Sequence, residues 1–147
     1  MRIKNFYYLY PKKKIKFGTM ETIKLTGNMK TPSVLLDPDT GVLELSGRSI
    51  PENTESLYKP LLEWVEEYVK NPQPLTTVNV KFEYFNSSSA KYLIRFLEYV
   101  TQLKKQGNAL VINWYYDDDE LYEYGQDYQD VLEMKFNFIP SQEYHNK

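Results

Sequence analysis

The chain has 147 residues, 41% of them apolar, enough for one domain with a sizeable core. Its formal charge is −2, but residues 1–30 carry eight Lys or Arg against Glu21 alone, a local +7, and the rest carries ten basic and nineteen acidic groups, a local −9. An acidic body argues against a nucleic-acid partner. The lack of cysteine excludes disulfides, thiolate metal sites and cysteine nucleophiles, and fits a reducing compartment.

Residues 1–30 read as a basic, flexible extension. Phe6-Tyr7-Tyr8-Leu9-Tyr10 is too short for a signal-peptide core, and no small-residue cleavage site follows it. No apolar run approaches the roughly 18–20 residues that span a bilayer, so a cytoplasmic protein is expected. Lys12-Lys13-Lys14-Ile15-Lys16 precedes an internal Met20. The first nineteen residues read either as an extension upstream of a start at Met20 or as a basic arm for membrane or nucleic acid. The former is favoured, and the arm is expected to be dispensable.

The domain is expected over residues 31–140, followed by a polar tail, 141–147. Ser33–Asp37 and Val42–Gly47 read as a β-hairpin around the turn Pro38-Asp39-Thr40-Gly41. Pro51-Glu52-Asn53-Thr54 opens a helix with Leu57, Leu61, Val65 and Tyr68/Val69 at helical spacing. Pro60 either starts its regular part or kinks it, and Asn71-Pro72-Gln73-Pro74 ends it. Thr76–Phe85 alternates as a strand, with Val78, Val80, Phe82 and Tyr84 expected on one face. A helix follows to about Gln106, stopped by Gly107. Asn108–Tyr116 is a mostly apolar, central strand. Asp117-Asp118-Asp119-Glu120 opens a third helix with Asp117 as its cap, and Lys135–Ile139 is a last short strand. The order is β-hairpin-α-β-α-β-α-β, an α/β fold with a mixed, largely parallel sheet and crossover helices.

The most informative stretch is Asn86-Ser87-Ser88-Ser89, at the corner between a strand and a helix. Asn and Ser cap helix N-termini because their oxygens accept first-turn N–H groups. That end of a helix also favours an added anion. On the same helix Ser87, Lys91 and Arg95 fall in line, so a phosphate on Ser87 could meet both cations. Ala90, Leu93, Ile94, Leu97 and Val100 form one apolar stripe, and Tyr92, Phe96, Tyr99 and Leu103 a second. The second stripe is either covered by a neighbouring helix or part of a partner interface.

Enzyme signatures are missing. There is no P-loop, no G-x-G-x-x-G and no H-E-x-x-H, and the only histidine, His145, lies near the C-terminus. The run Asp117–Glu120 reads as a solvated first helical turn, with a divalent-cation site as the alternative. No cofactor and no metal site is expected.

The chain resembles the SiaC family of bacterial regulatory phosphoproteins, whose fold is similar to STAS-domain anti-sigma-factor antagonists. The likeness rests on Thr31-Pro32, on Gly47 through Asn53, on Trp64-Val65-Glu66, on Tyr84-Phe85-Asn86-Ser87-Ser88-Ser89, and on Trp114-Tyr115-Tyr116-Asp117. It implies a STAS-like fold and a non-enzymatic partner switch. By the match at the corner the phosphoacceptor is Ser87, with Ser88 the second choice. The resemblance further implies a cognate serine/threonine kinase, a phosphatase of the metal-dependent PP2C type, and a target, such as a diguanylate cyclase, bound by the unphosphorylated form. A constitutive scaffold and a small metal enzyme using Asp117–Glu120 are the alternatives.

Overall fold

A computed structural model describes residues 20–141. The basic run of residues 1–19, the start at Met20 and the tail from residue 142 with His145 fall wholly or partly outside the described residues.

The hairpin forms where alternation and turn chemistry agree. β2 (Ser33–Asp37) and β3 (Val42–Ser49) pair antiparallel. Asp37 closes the turn by accepting from the Asp39 backbone N–H at 2.9 Å and from the Thr40 hydroxyl at 3.0 Å. Gly41 follows at φ 76°, and a Cβ there would meet the Leu75 carbonyl at 2.5 Å, so only glycine fits. α1 (Thr54–Tyr68) then crosses to β4 (Leu75–Phe85), α2 (Ser87–Lys105) to β5 (Ala109–Tyr116), and α3 (Asp119–Leu132) to β6 (Asn137–Pro140). From β3 to β6 each neighbouring pair is parallel, giving the mixed, largely parallel sheet expected from the alternation of strands and helices.

The expected boundary at Thr31 is corrected. Ile23–Leu25 forms an edge strand, β1, antiparallel to β2, so the sheet has six strands in the order β1-β2-β3-β4-β5-β6. Ile23 is fully buried, and the Trp64 indole N–H donates to the Glu21 carbonyl at 2.8 Å. Apolar burial and a satisfied indole outweigh the local basic charge, and residues 22–30 belong to the body.

Two rows of side chains cross the sheet. Leu36, Leu43, Val78 and Ile112 stand in register and are buried in one core with Tyr58, Trp64, Leu93 and Leu97 of the helices. On the alternate row Glu44, Asn79, Asn113 and Asn137 are joined by side-chain hydrogen bonds, of which Asn113 to Asn79 is 2.8 Å and Asn137 to Asn113 is 3.0 Å. This polar ladder ties four strands together without an apolar layer.

Two local expectations are also corrected. The register slips between Gly47 and Arg48, so Glu83 is an extra residue on β4. The bulge turns Tyr84 off the core face, where it is 46% exposed, and Phe85 takes its place inside. The cap of α3 is Asp118, whose carboxylate accepts from the Leu121 N–H at 2.8 Å, and not Asp117. The first helix opens at Thr54 behind the Asn53 cap as expected, and Pro60 lies inside it, which excludes Pro60 as its start. Gly107, at φ 90°, ends α2 as expected.

Candidate functional site at the serine corner

The carboxyl ends of β3, β4 and β5 each feed a helix, so three helix N-termini share one edge of the sheet. Open α/β sheets place their working residues at this edge. The three caps are Asn53, Asn86 and Asp118.

At the middle cap, the Asn86 amide oxygen accepts from the Ser89 N–H at 2.9 Å and from the Ser88 hydroxyl at 3.1 Å, and the Asn86 N–H donates to the Ser49 carbonyl at 3.1 Å. Each hydroxyl has one proton, which fixes the direction of the remaining bonds. Ser88 gives its proton to Asn86, so Thr54 of α1 donates to Ser88, at 2.8 Å. Ser89 gives its proton to the Ser49 carbonyl at 3.0 Å, so the Ser49 hydroxyl donates to Ser89 at 2.8 Å. Tyr58 then donates to Ser49 at 2.7 Å. Burial pushes the Tyr58 phenol above its ordinary value, outweighing the opposing hydrogen bonds with Ser49 and Ser89. Ser49 and Ser89 are fully buried.

Ser87 differs from both neighbours. It is exposed, its hydroxyl has no hydrogen-bond partner among the described residues, and it sits on the rim of a cleft of about 160 Å³. Glu83, Tyr84, Asp118, Glu120 and Tyr124 are among the residues that line this cleft. α2 is also the one described helix with no acidic residue in its first turn, whereas α1 has Glu55 and α3 has Asp119 and Glu120. No acid of its own first turn answers its positive end, which suits that end to an added anion.

The structure sorts the other expected site residues. Asn86 serves Ser88 and Ser89 and not Ser87. Lys91 and Arg95 are exposed, and the Arg95 guanidinium lies 5.6 Å over the Tyr92 ring. Phe96 is corrected from partner surface to core, because it is fully buried beneath packed helices. Tyr92 is half-buried and stacked on Tyr58 of α1 at 5.6 Å, so a neighbouring helix covers part of the stripe, and Tyr99 is half-buried. The residues Asp117–Glu120 are all exposed, and among the described residues no group of three or more His, Cys, Asp or Glu could hold a metal ion. No helix among them is long and apolar enough to cross a membrane.

Sequence reasoning missed Thr54, Ser49 and Tyr58, which reach the corner from 34 to 40 positions away in the cases of Thr54 and Ser49. The one signal was a hydroxyl-bearing residue next to a second Asn cap, which placed Thr54 at a helix start but gave it no neighbour.

An uncharacterised protein of Pseudomonas aeruginosa (strain UCBPP-PA14) is 28% identical over 98 residues, 67% of this chain and 78% of that protein. The fold is similar to the structure of SiaC of P. aeruginosa, at a TM-score of 0.71 and 25% identity, covering 82% of this chain and 97% of that one. It is also similar to a chain in the crystal structure of the diguanylate cyclase SiaD in complex with its activator SiaC from P. aeruginosa, at a TM-score of 0.74 and 24% identity, covering 80% and 98%. The family model for regulatory phosphoproteins of the SiaC type matches residues 25–141, from β1 through β6. The chain thus belongs to the SiaC family of regulatory phosphoproteins and is a regulator, not an enzyme.

Proposed function

We propose that this chain is a phosphorylation-controlled partner-switching regulator in the cytoplasm, with Ser87 as phosphoacceptor. Its unphosphorylated form binds an effector of the diguanylate cyclase class. A serine/threonine kinase adds the phosphate and a PP2C-type phosphatase removes it. The observation that carries this reading is the grading of the three serines: only Ser87 is exposed with an unengaged hydroxyl, and among the described helices it stands at the one N-terminus without a first-turn acid.

A phosphate on Ser87 adds a charge of about −1.5 to −2. The α2 dipole favours it, and the exposed Lys91 one turn along offers a cation. A partner docking on this edge must strip water from that dianion and meet it beside Glu83, Asp118 and Glu120. A penalty of about 3 kcal/mol lowers affinity by more than a hundredfold, enough to switch a complex. The partly exposed Tyr92 and Tyr99 are proposed as the flank of the contact surface.

Intact mass and peptide mapping after expression beside the neighbouring genes test the reading. A single phosphate on Ser87, lost in Ser87→Ala, is expected. Because the cap is Asn86, Ser87→Ala should keep its melting temperature. A wild-type chain that stays unmodified beside an active kinase points to a constitutive scaffold instead.

A further inference from the structure

The corner offers three serines in a row, yet the buried network treats each one differently. Ser89 is locked under Ser49 and Tyr58. Ser88 is the intermediate case: half-buried, at the second position of α2, with its oxygen held between the Asn86 amide and the Thr54 hydroxyl across the gap to α1. We propose that Thr54 is a specificity-determining residue that confines phosphorylation to Ser87 by engaging Ser88. This role rests on phosphorylation of the corner, as proposed for Ser87, and adds a residue that lies outside the acceptor motif.

Phosphoryl transfer requires the serine oxygen to approach the γ-phosphorus of a nucleoside triphosphate in line with the departing β-phosphate oxygen. The new O–P bond forms as the β–γ bond breaks, the nucleoside diphosphate leaves, and the serine proton passes to a base of the kinase. For Ser87 the oxygen is exposed and its proton is uncommitted. For Ser88 the proton is already donated to Asn86, one lone pair accepts from Thr54, and α1 stands on the side where Thr54 lies. Attack from Ser88 therefore needs two hydrogen bonds broken and the seam between α1 and α2 opened.

The test uses the full chain co-expressed with its kinase, read by peptide mapping. Ser87→Ala alone should carry no phosphate. Ser87→Ala combined with Thr54→Val, which keeps the side-chain shape and removes the hydroxyl, should carry phosphate on Ser88. Ser87→Ala combined with Thr54→Ser should restore protection. A second arm needs no kinase: amide hydrogen exchange at Ser89 and Ala90, whose N–H groups are held by Asn86, should speed up about fivefold in Thr54→Val, the factor set by losing one ordinary hydrogen bond. An unmodified Ser87→Ala/Thr54→Val chain, phosphate on Ser88 in Ser87→Ala alone, or unchanged exchange overturns the role of Thr54. A wild-type chain run beside these variants distinguishes the two readings, since its lack of phosphate overturns the phosphorylation reading itself.

Discussion

The corners that open α2 and α3 stand on adjacent strands and are built on one plan. A side-chain oxygen at the cap, Asn86 in one and Asp118 in the other, accepts from the N–H three residues on, at 2.9 Å and 2.8 Å. The three residues after the cap differ at every position. α3 continues with Asp119, Glu120 and buried Leu121, so acids answer its dipole and an apolar side chain anchors it. α2 continues with Ser87, Ser88 and buried Ser89, so its dipole is unanswered and a hydroxyl network anchors it. The plan holds a helix end in both cases. Only the second version leaves room for negative charge, and it does so at the outermost serine.

Carrying the acids of the α3 corner into the α2 corner breaks the comparison most sharply when the acid is placed one step too deep, at the third position. Ser89→Asp puts an unpaired carboxylate into a fully buried network and should cost about 3–5 kcal/mol, seen as a drop in melting temperature of the order of a core truncation. The caps come next. Asn86→Ala should cost about 1–2 kcal/mol, because it releases the Ser89 N–H and the Ser88 hydroxyl together, and Asp118→Ala nearer about 1 kcal/mol. Equal losses in urea denaturation would show that Ser88 adds nothing to the α2 cap. At the first position the sign should reverse: Ser87→Asp is expected to raise stability by up to about 1 kcal/mol at low ionic strength, and the gain should fade in high salt. A loss there would show that the carboxylates lining the neighbouring cleft outweigh the dipole.

The smallest expected effect is alkaline. Tyr128 of α3 donates to the Ala90 carbonyl of α2 at 2.8 Å, and burial, with nearby Tyr124 and Tyr58, pushes its phenol above the usual value. Tyr58 is raised as well, chiefly by burial. A raised phenol contributes stability that is complete below the unfolded value of about 10 and is lost as pH rises beyond it. Stability should therefore fall above about pH 10, and less steeply in Tyr128→Phe. A flat profile to pH 11 or beyond would remove these phenols from the account of how α3 is tied to α2.

The sequence shows the alternation of elements, because the hairpin and Thr76–Phe85 carry period-two patterning, Asn108–Tyr116 is a mostly apolar run, and the first two helices end at Pro and Gly signals. Asn86 and the three serines are readable for the same reason, since a cap is a local feature. What a linear reading misses is made by distant partners. β1 is hidden because its three residues lie in a stretch whose lysines dominate the composition, while the burial of Ile23 depends on β2 and the core. The bulge at Glu83 depends on the register of β3 against β4, and it alone moves Tyr84 outward. Phe96 looks like surplus apolar surface until α1 is laid against α2. The ranking of Ser87, Ser88 and Ser89 is a property of depth, which residue type does not encode.

The two tryptophans give the protein a pair of built-in optical probes. Both indoles are buried, and each N–H is bound to a backbone carbonyl of a different peripheral segment: Trp64 to Glu21 beside β1, and Trp114 to Leu121 in the first turn of α3. With Trp114→Phe the remaining emission should report detachment of the N-terminal edge. With Trp64→Phe it should report events at the corner next to Ser87. Quenching and spectral shifts in the two single-tryptophan chains would then resolve which end of the sheet opens first during unfolding, and which one responds when a partner docks.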